Sequence, residues 1–93
     1  MSFAKALSPA LREVRILCCQ TGAGSAGTRQ FIASTYPTLK QHNPDLPIMI
    51  REAKGTPARV FARFERGVEK HVEVDNLSEK DVASRIAQLL SLS

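Results

Sequence analysis

Two thiols stand side by side at the head of a glycine-rich stretch, Cys18-Cys19-Gln20-Thr21-Gly22-Ala23-Gly24-Ser25-Ala26-Gly27. A cysteine becomes a nucleophile or a redox centre when its thiolate is stabilised, and a helix N-terminus does this. Thioredoxin-like enzymes place C-x-x-C where a strand meets a helix. Here the cysteines are adjacent and none follows two residues later, so the resolving thiol is absent. A single-thiol reaction at Cys18 or Cys19 stands beside the plainer reading of two small buried apolar side chains. A bridge between neighbours is strained, and an extended strand points their side chains to opposite faces. With two cysteines in all, the chain carries no disulfide framework and suits a reducing compartment.

The same stretch fits G-x-G-x-x-G, through Gly22, Gly24 and Gly27. That pattern cradles a dinucleotide phosphate when it follows a strand and opens a helix. Glu52 even stands where a ribose-binding acid would. Against this, 93 residues leave no room for a six-stranded dinucleotide-binding sheet and a substrate domain. The competing reading makes Gly24, Ser25 and Gly27 the turn and helix cap between a strand and a helix.

His42 and His71 lack metal-ligand spacing. No Ser-His-Asp set, carboxylate pair or Walker loop is present. Arg59, Phe61 and Arg63 share one face of a strand, with Arg66 in the turn beyond. An aromatic between arginines is typical of interface anchors, so these three form a candidate docking surface. The net charge of +4 comes from thirteen Lys and Arg scattered among nine acids. That balance suits an acidic partner about as well as an RNA backbone, without the dense basic stripe of a nucleic-acid protein.

These residues need elements to hold them. Residues 13–19 read as a strand, with Val14, Ile16 and Cys18 on one face and Leu17 and Cys19 on the other. Residues 26–42 place Phe31, Ile32, Tyr36 and Leu39 at helical spacing, and Pro37 predicts a kink or break. Residues 47–52 form a second strand, parallel to the first across the helix. Residues 58–64 and 68–74 alternate about a Glu-Arg-Gly turn and predict an antiparallel hairpin. Asn76 or Ser78 starts a last helix with Val82, Ile86, Leu89 and Leu90 as its apolar stripe. The order β-α-β-β-β-α is an α/β fold: a thioredoxin-like mixed four-stranded sheet with two main helices, lacking the helix before the hairpin. Residues 13–93 form this one domain, behind a flexible or extended N-terminal segment, 1–12. That segment holds two bases and no acid, as a mitochondrial targeting segment or a frayed end would. No apolar run reaches the ~20 residues of a membrane span.

Two segments resemble a known family. Arg12-Glu13-x-Arg15-Ile16, Gly24-Ser25-x-Gly27-x-Arg29-x-Phe31 and Asn43-Pro44-Asp45-Leu46-Pro47-Ile48-x-Ile50-Arg51-Glu52 are similar to the B8-type accessory subunits of mitochondrial respiratory complex I. Their domain also occurs in two small mitochondrial ribosomal proteins. The resemblance implies a thioredoxin-like fold without catalytic residues, cofactor or metal of its own. It implies a peripheral place on the matrix side of the mitochondrial inner membrane, in the NADH-oxidising arm. The implied partners are complex I subunits, above all the large iron–sulfur subunit, with no direct nucleic acid and no membrane insertion. The implied role is assembly and stability of that arm. A ribosomal protein and a monothiol oxidoreductase are the alternatives. In relatives a thiol matching Cys19 pairs with a second cysteine after strand two, where this chain has Ala53.

Overall fold

The computed structural model describes residues 7–91. The elements are β1 (Leu11–Cys18), α1 (Ala26–His42), β2 (Ile48–Glu52), β3 (Arg59–Phe64), β4 (Glu69–Glu73) and α2 (Glu79–Leu90). They form one mixed sheet in the order β2-β1-β3-β4. β1 and β2 are parallel; β3 runs antiparallel to both β1 and β4. This is the expected α/β architecture, a thioredoxin-like sheet with two helices.

Alternation decides the sheet's two faces. Val14, Ile16, Val60 and Ala62 are at most 1% exposed and join Phe31 of α1 and Val82 and Ile86 of α2 in one cluster. Both helices therefore cover the same face, and they also pack on each other. Among the described residues, no helix or strand covers the opposite face. Its side chains, among them Arg15, Leu17, Met49, Phe61 and His71, are half-buried or exposed.

Strand ends shift from expectation by a residue, and three local features differ by more. β1 begins at Leu11, not residue 13, because Leu11 is itself buried and pairs with Phe64 beyond a register shift. Residues 7–12 belong to the segment read as flexible or extended, and Ser8 joins it to the domain. The Ser8 N–H donates to the Leu90 carbonyl (2.9 Å) and its hydroxyl accepts from the Ala10 N–H. Residues 1–6, the first half of the targeting-like stretch, lie outside the described residues.

The second difference is at Pro37, which neither breaks nor ends α1. The helix runs uninterrupted from Ala26 to His42 with the proline inside it. Proline removes the N–H that would bond the Ala33 carbonyl. Ala33 and Pro37 are both exposed, so that carbonyl turns to water. The buried Phe31 and Leu39 hold the two halves of the helix to the core. Asn43 then closes the helix, with its backbone and side-chain nitrogens donating to the Leu39 carbonyl.

Third, Ser25 stands at the N-cap of α1 but its side chain makes no capping bond. A single 3-10 turn, Ala23–Ser25, leads into the helix, and the Ser25 hydroxyl turns back to accept from the Cys19 N–H at 2.9 Å. Ser78 does cap α2, accepting from the Asp81 N–H at 3.2 Å.

Candidate functional site

The loop that ends β1 gathers the first set of candidate residues. Cys18 ends the strand pointing into the core, with no exposed surface, while Cys19 faces the loop at 6% exposure. The strand's alternation thus separates the two thiols, and both are free cysteines. Burial raises the Cys18 pKa, and the nearby Glu52 carboxylate raises it further. Cys19 goes the other way, down to about 7. Hydrogen bonding from Thr21 contributes most to this, followed by the Gly55 and Gly22 amides. The Gly22 N–H lies 3.2 Å and the Gly55 N–H 3.4 Å from the Cys19 sulfur. Loop amides from two connections, rather than the end of α1, stabilise its thiolate.

The glycines are occupied by the chain's own contacts. A Cβ on Gly24 would stand 2.8 Å from both carboxylate oxygens of Asp75. The Gly24 carbonyl accepts from the Asn76 N–H at 2.7 Å. A Cβ on Gly27 would lie 2.0 Å from the Leu77 carbonyl oxygen. These glycines let the start of α1 press against the connection from β4 to α2. The space a phosphate would need beside Gly24 holds the Asp75 carboxylate, which also accepts from the Ala58 N–H at 2.9 Å. Gly24, Ser25 and Gly27 form a packing junction. Arg29 locks it from α1, donating to the Cys19 and Gly22 carbonyls at 2.9 and 2.8 Å. Asp75, Gly55 and the role of Arg29 escaped the sequence reading. The Asp75-Asn76 pair between a strand and a helix was the available signal, since Asn76 takes the left-handed backbone (φ 64°) that such a turn favours.

The second candidate is the bare sheet face. Strand register builds it from three rows. Arg51, Leu17, Arg59 and Glu73 form the first; Met49, Arg15, Phe61 and His71 the second; Glu13, Arg63 and Glu69 the third. Arg59, Phe61 and Arg63 do share this face, but their surroundings differ. Arg63 is neutralised by Glu13 at 2.6 Å. Arg15 pairs with Glu13 at 3.4 Å and with Glu69, and its guanidinium lies over the Phe61 ring at 5.3 Å. His71, across the strand from Phe61, stacks on its ring with centroids 5.3 Å apart. Arg59 and Arg51 make no ion pair among the described residues, and the buried Arg59 Nε has no hydrogen-bond partner.

Among the described residues no three His, Cys, Asp or Glu side chains gather where they could hold a metal ion. His42 instead meets the Thr38 carbonyl at 3.0 Å, one turn back in α1. No described helix is long and apolar enough to cross a membrane.

The family model of the mitochondrial ribosomal protein L51 / S25 / CI-B8 domain matches residues 28–79, more than half the chain. The chain belongs to this family. The matched span runs from the first turn of α1 to the start of α2 and takes in β2, β3 and β4. Full-length relatives narrow the kinship. The chain is 44% identical over 90 residues to the NADH-ubiquinone oxidoreductase 10.5 kDa subunit of Neurospora crassa, covering 97% of this chain and 96% of that one. It is 39% identical over 90 residues to NADH dehydrogenase [ubiquinone] 1 alpha subcomplex subunit 2 of Arabidopsis thaliana, covering 97% and 93%. The mouse protein of the same name is 42% identical over 81 residues, covering 87% and 82%. The family motifs now have physical roles: Arg29 pins the loop, Asn43 closes α1, and Arg51 stands on the bare face.

Proposed function

We propose that this protein is an accessory subunit of mitochondrial complex I, one that supports assembly and stability of the enzyme without doing chemistry itself. The observation that carries the reading is the 44% identity, over nearly the whole of both chains, to a subunit named for NADH-ubiquinone oxidoreductase. Plant and mouse relatives carry the matching name across most of their length. The ribosomal members share the domain, so the domain description alone leaves both complexes open. The full-length relatives favour the respiratory one.

The finer reading places the subunit on the matrix side of the inner membrane, in the peripheral NADH-oxidising arm, against the large iron–sulfur subunit. The bare sheet face supports a role in contact, because a small domain with one uncovered face gains stability from whatever covers it. The loop thiols do not favour an enzyme. Cys19 has a lowered pKa but little exposure, and Cys18 is turned into the core away from it.

The test is co-purification. The tagged protein is expressed in its own cells and mitochondria are solubilised gently. Respiratory iron–sulfur subunits in the eluate are the expected result, and crosslinks to the large iron–sulfur subunit would support the finer placement. Ribosomal proteins in their place would overturn the reading.

A further inference from the structure

The bare face of the sheet is unevenly charged. In its third row the charges answer one another: Glu13 with Arg63 and Arg15, Glu69 with Arg15. The first row lacks this compensation. Arg51 and Arg59 flank Leu17 in register, and neither makes an ion pair among the described residues. Glu73 is the cross-strand neighbour of Arg59 but is not within ion-pairing distance. The buried Nε of Arg59 donates to nothing. A buried donor without an acceptor is costly, so the Arg59 guanidinium gains little from its present setting and is free to reorient toward an incoming carboxylate. Between these cations lies Leu17, and in the next row stand Met49, 38% exposed, and the partly exposed Phe61, on either side of Arg15.

We propose that this end of the face, Arg51, Arg59, Leu17, Phe61 and Met49, docks an acidic polypeptide segment of the partner subunit. Its carboxylates would meet the two arginines, and its apolar side chains would cover Leu17, Met49 and the Phe61 edge. Bidentate pairing suits arginine and carboxylate. A protein fits better than RNA because Leu17 and the exposed Met49 lie beside the arginines, and a partner's apolar side chains can cover them where a phosphate backbone cannot. Arg63 is not an anchor, because Glu13 already holds it.

This inference rests on the accessory-subunit reading, and one experiment separates the two. Wild type, the double variant Arg51→Gln/Arg59→Gln, which removes both charges without placing a carboxylate opposite Glu73, and the control Lys80→Glu are expressed in cells lacking the native protein. Lys80 is exposed on α2, beyond the other side of the sheet. Incorporation into complex I is read on native gels, and the melting temperature of each free protein is measured. Wild type and the control are expected to incorporate. The double variant is expected to lose at least about tenfold of its incorporation while keeping the wild-type melting temperature, since neither arginine holds an internal ion pair. The second readout needs no variant: peroxide oxidation of Met49 is expected to slow about tenfold or more on assembly, as an interface core excludes solvent.

Wild type absent from complex I would sink the accessory-subunit reading. Wild type present, with the double variant incorporated equally or Met49 oxidised as fast as in the free protein, would overturn this inference alone. Arginine-dependent binding to RNA that weakens steeply with salt would also overturn it.

Discussion

Replacing Gly27 by alanine sets two effects of opposite sign against each other. Gly27 is the second residue of α1, where helix propensity alone favours alanine by about 1 kcal/mol. The added Cβ, however, would lie 2.0 Å from the Leu77 carbonyl oxygen and 2.8 Å from the Ser78 carbonyl carbon, where real contacts stay beyond 3.0 Å. Both obstacles are backbone, so no rotamer change relieves them. α1 must back away from the β4–α2 connection, and the facing Phe31, Val82 and Ile86 must part with it. Forced core shifts of this kind cost about 1–3 kcal/mol, and the lost cap at Ser78, whose backbone is being pushed, costs about 1 kcal/mol more. The net expectation is a loss of about 2 kcal/mol, or a melting temperature lower by roughly 8–16 °C for a domain of this size. Thermal melting followed by circular dichroism reads this directly. Gly22→Ala is the internal control, because its new Cβ would meet only the Cys19 side chain, at 3.2 Å. It should cost less than half as much. A Gly27→Ala variant that melts at or above wild type would refute the close-approach argument.

The thiols should separate chemically. Alkylation of the native protein is expected at Cys19 alone, half-maximal near pH 7, with Cys18 reacting only after unfolding; equal rates at both would contradict the geometry. Because the folded Cys19 pKa lies below its ordinary 9.0, the unfolded chain holds more protons between about 7 and 9.0. Stability should therefore rise with pH across that window, reach its full value above it, and be lost as pH falls through 7. A Cys19→Ala variant should lack this slope in urea titrations. Pro37→Ala should stabilise by about 2 kcal/mol, since it returns an N–H to the Ala33 carbonyl in the middle of an unbroken helix. A lower urea midpoint would show that the proline is serving a bent path.

How much of this was legible in the sequence depends on whether the cause is local. Val14, Ile16 and Cys18 alternate within five residues, and their face follows from that alone. Val82, Ile86, Leu89 and Leu90 mark α2 by the same logic with a different period. Of the kink or break that Pro37 predicts, the break is absent because its penalty is local while the anchors that override it, Phe31 and Leu39, act through the core. Ser25 misleads because two N–H donors compete for one hydroxyl oxygen, and the winning donor, the Cys19 N–H, becomes visible only once the loop is folded. The docking surface divides in the same way. That Arg59, Phe61 and Arg63 share a face follows from strand alternation. That Arg63 is neutralised and Arg59 is not depends on Glu13, fifty residues earlier, reaching the register of β3. Asp75 fills the glycine cradle across a similar gap in the chain.

The place of β1 has a consequence for the order of assembly. β1 is an interior strand, flanked by β2 on one side and β3 on the other, yet it is made before every other described element of the sheet. Its parallel partner arrives only after α1, and its antiparallel partner is not complete until Phe64 has been made. Until then both edges and the apolar Val14, Ile16 and Cys18 are exposed to other chains, the state in which strands associate wrongly. The hairpin of β3 and β4, closed by Arg66 and Gly67 in left-handed backbone, needs no such wait. A nascent chain halted before residue 64 should engage chaperones through β1, and release from them should follow the docking of β3.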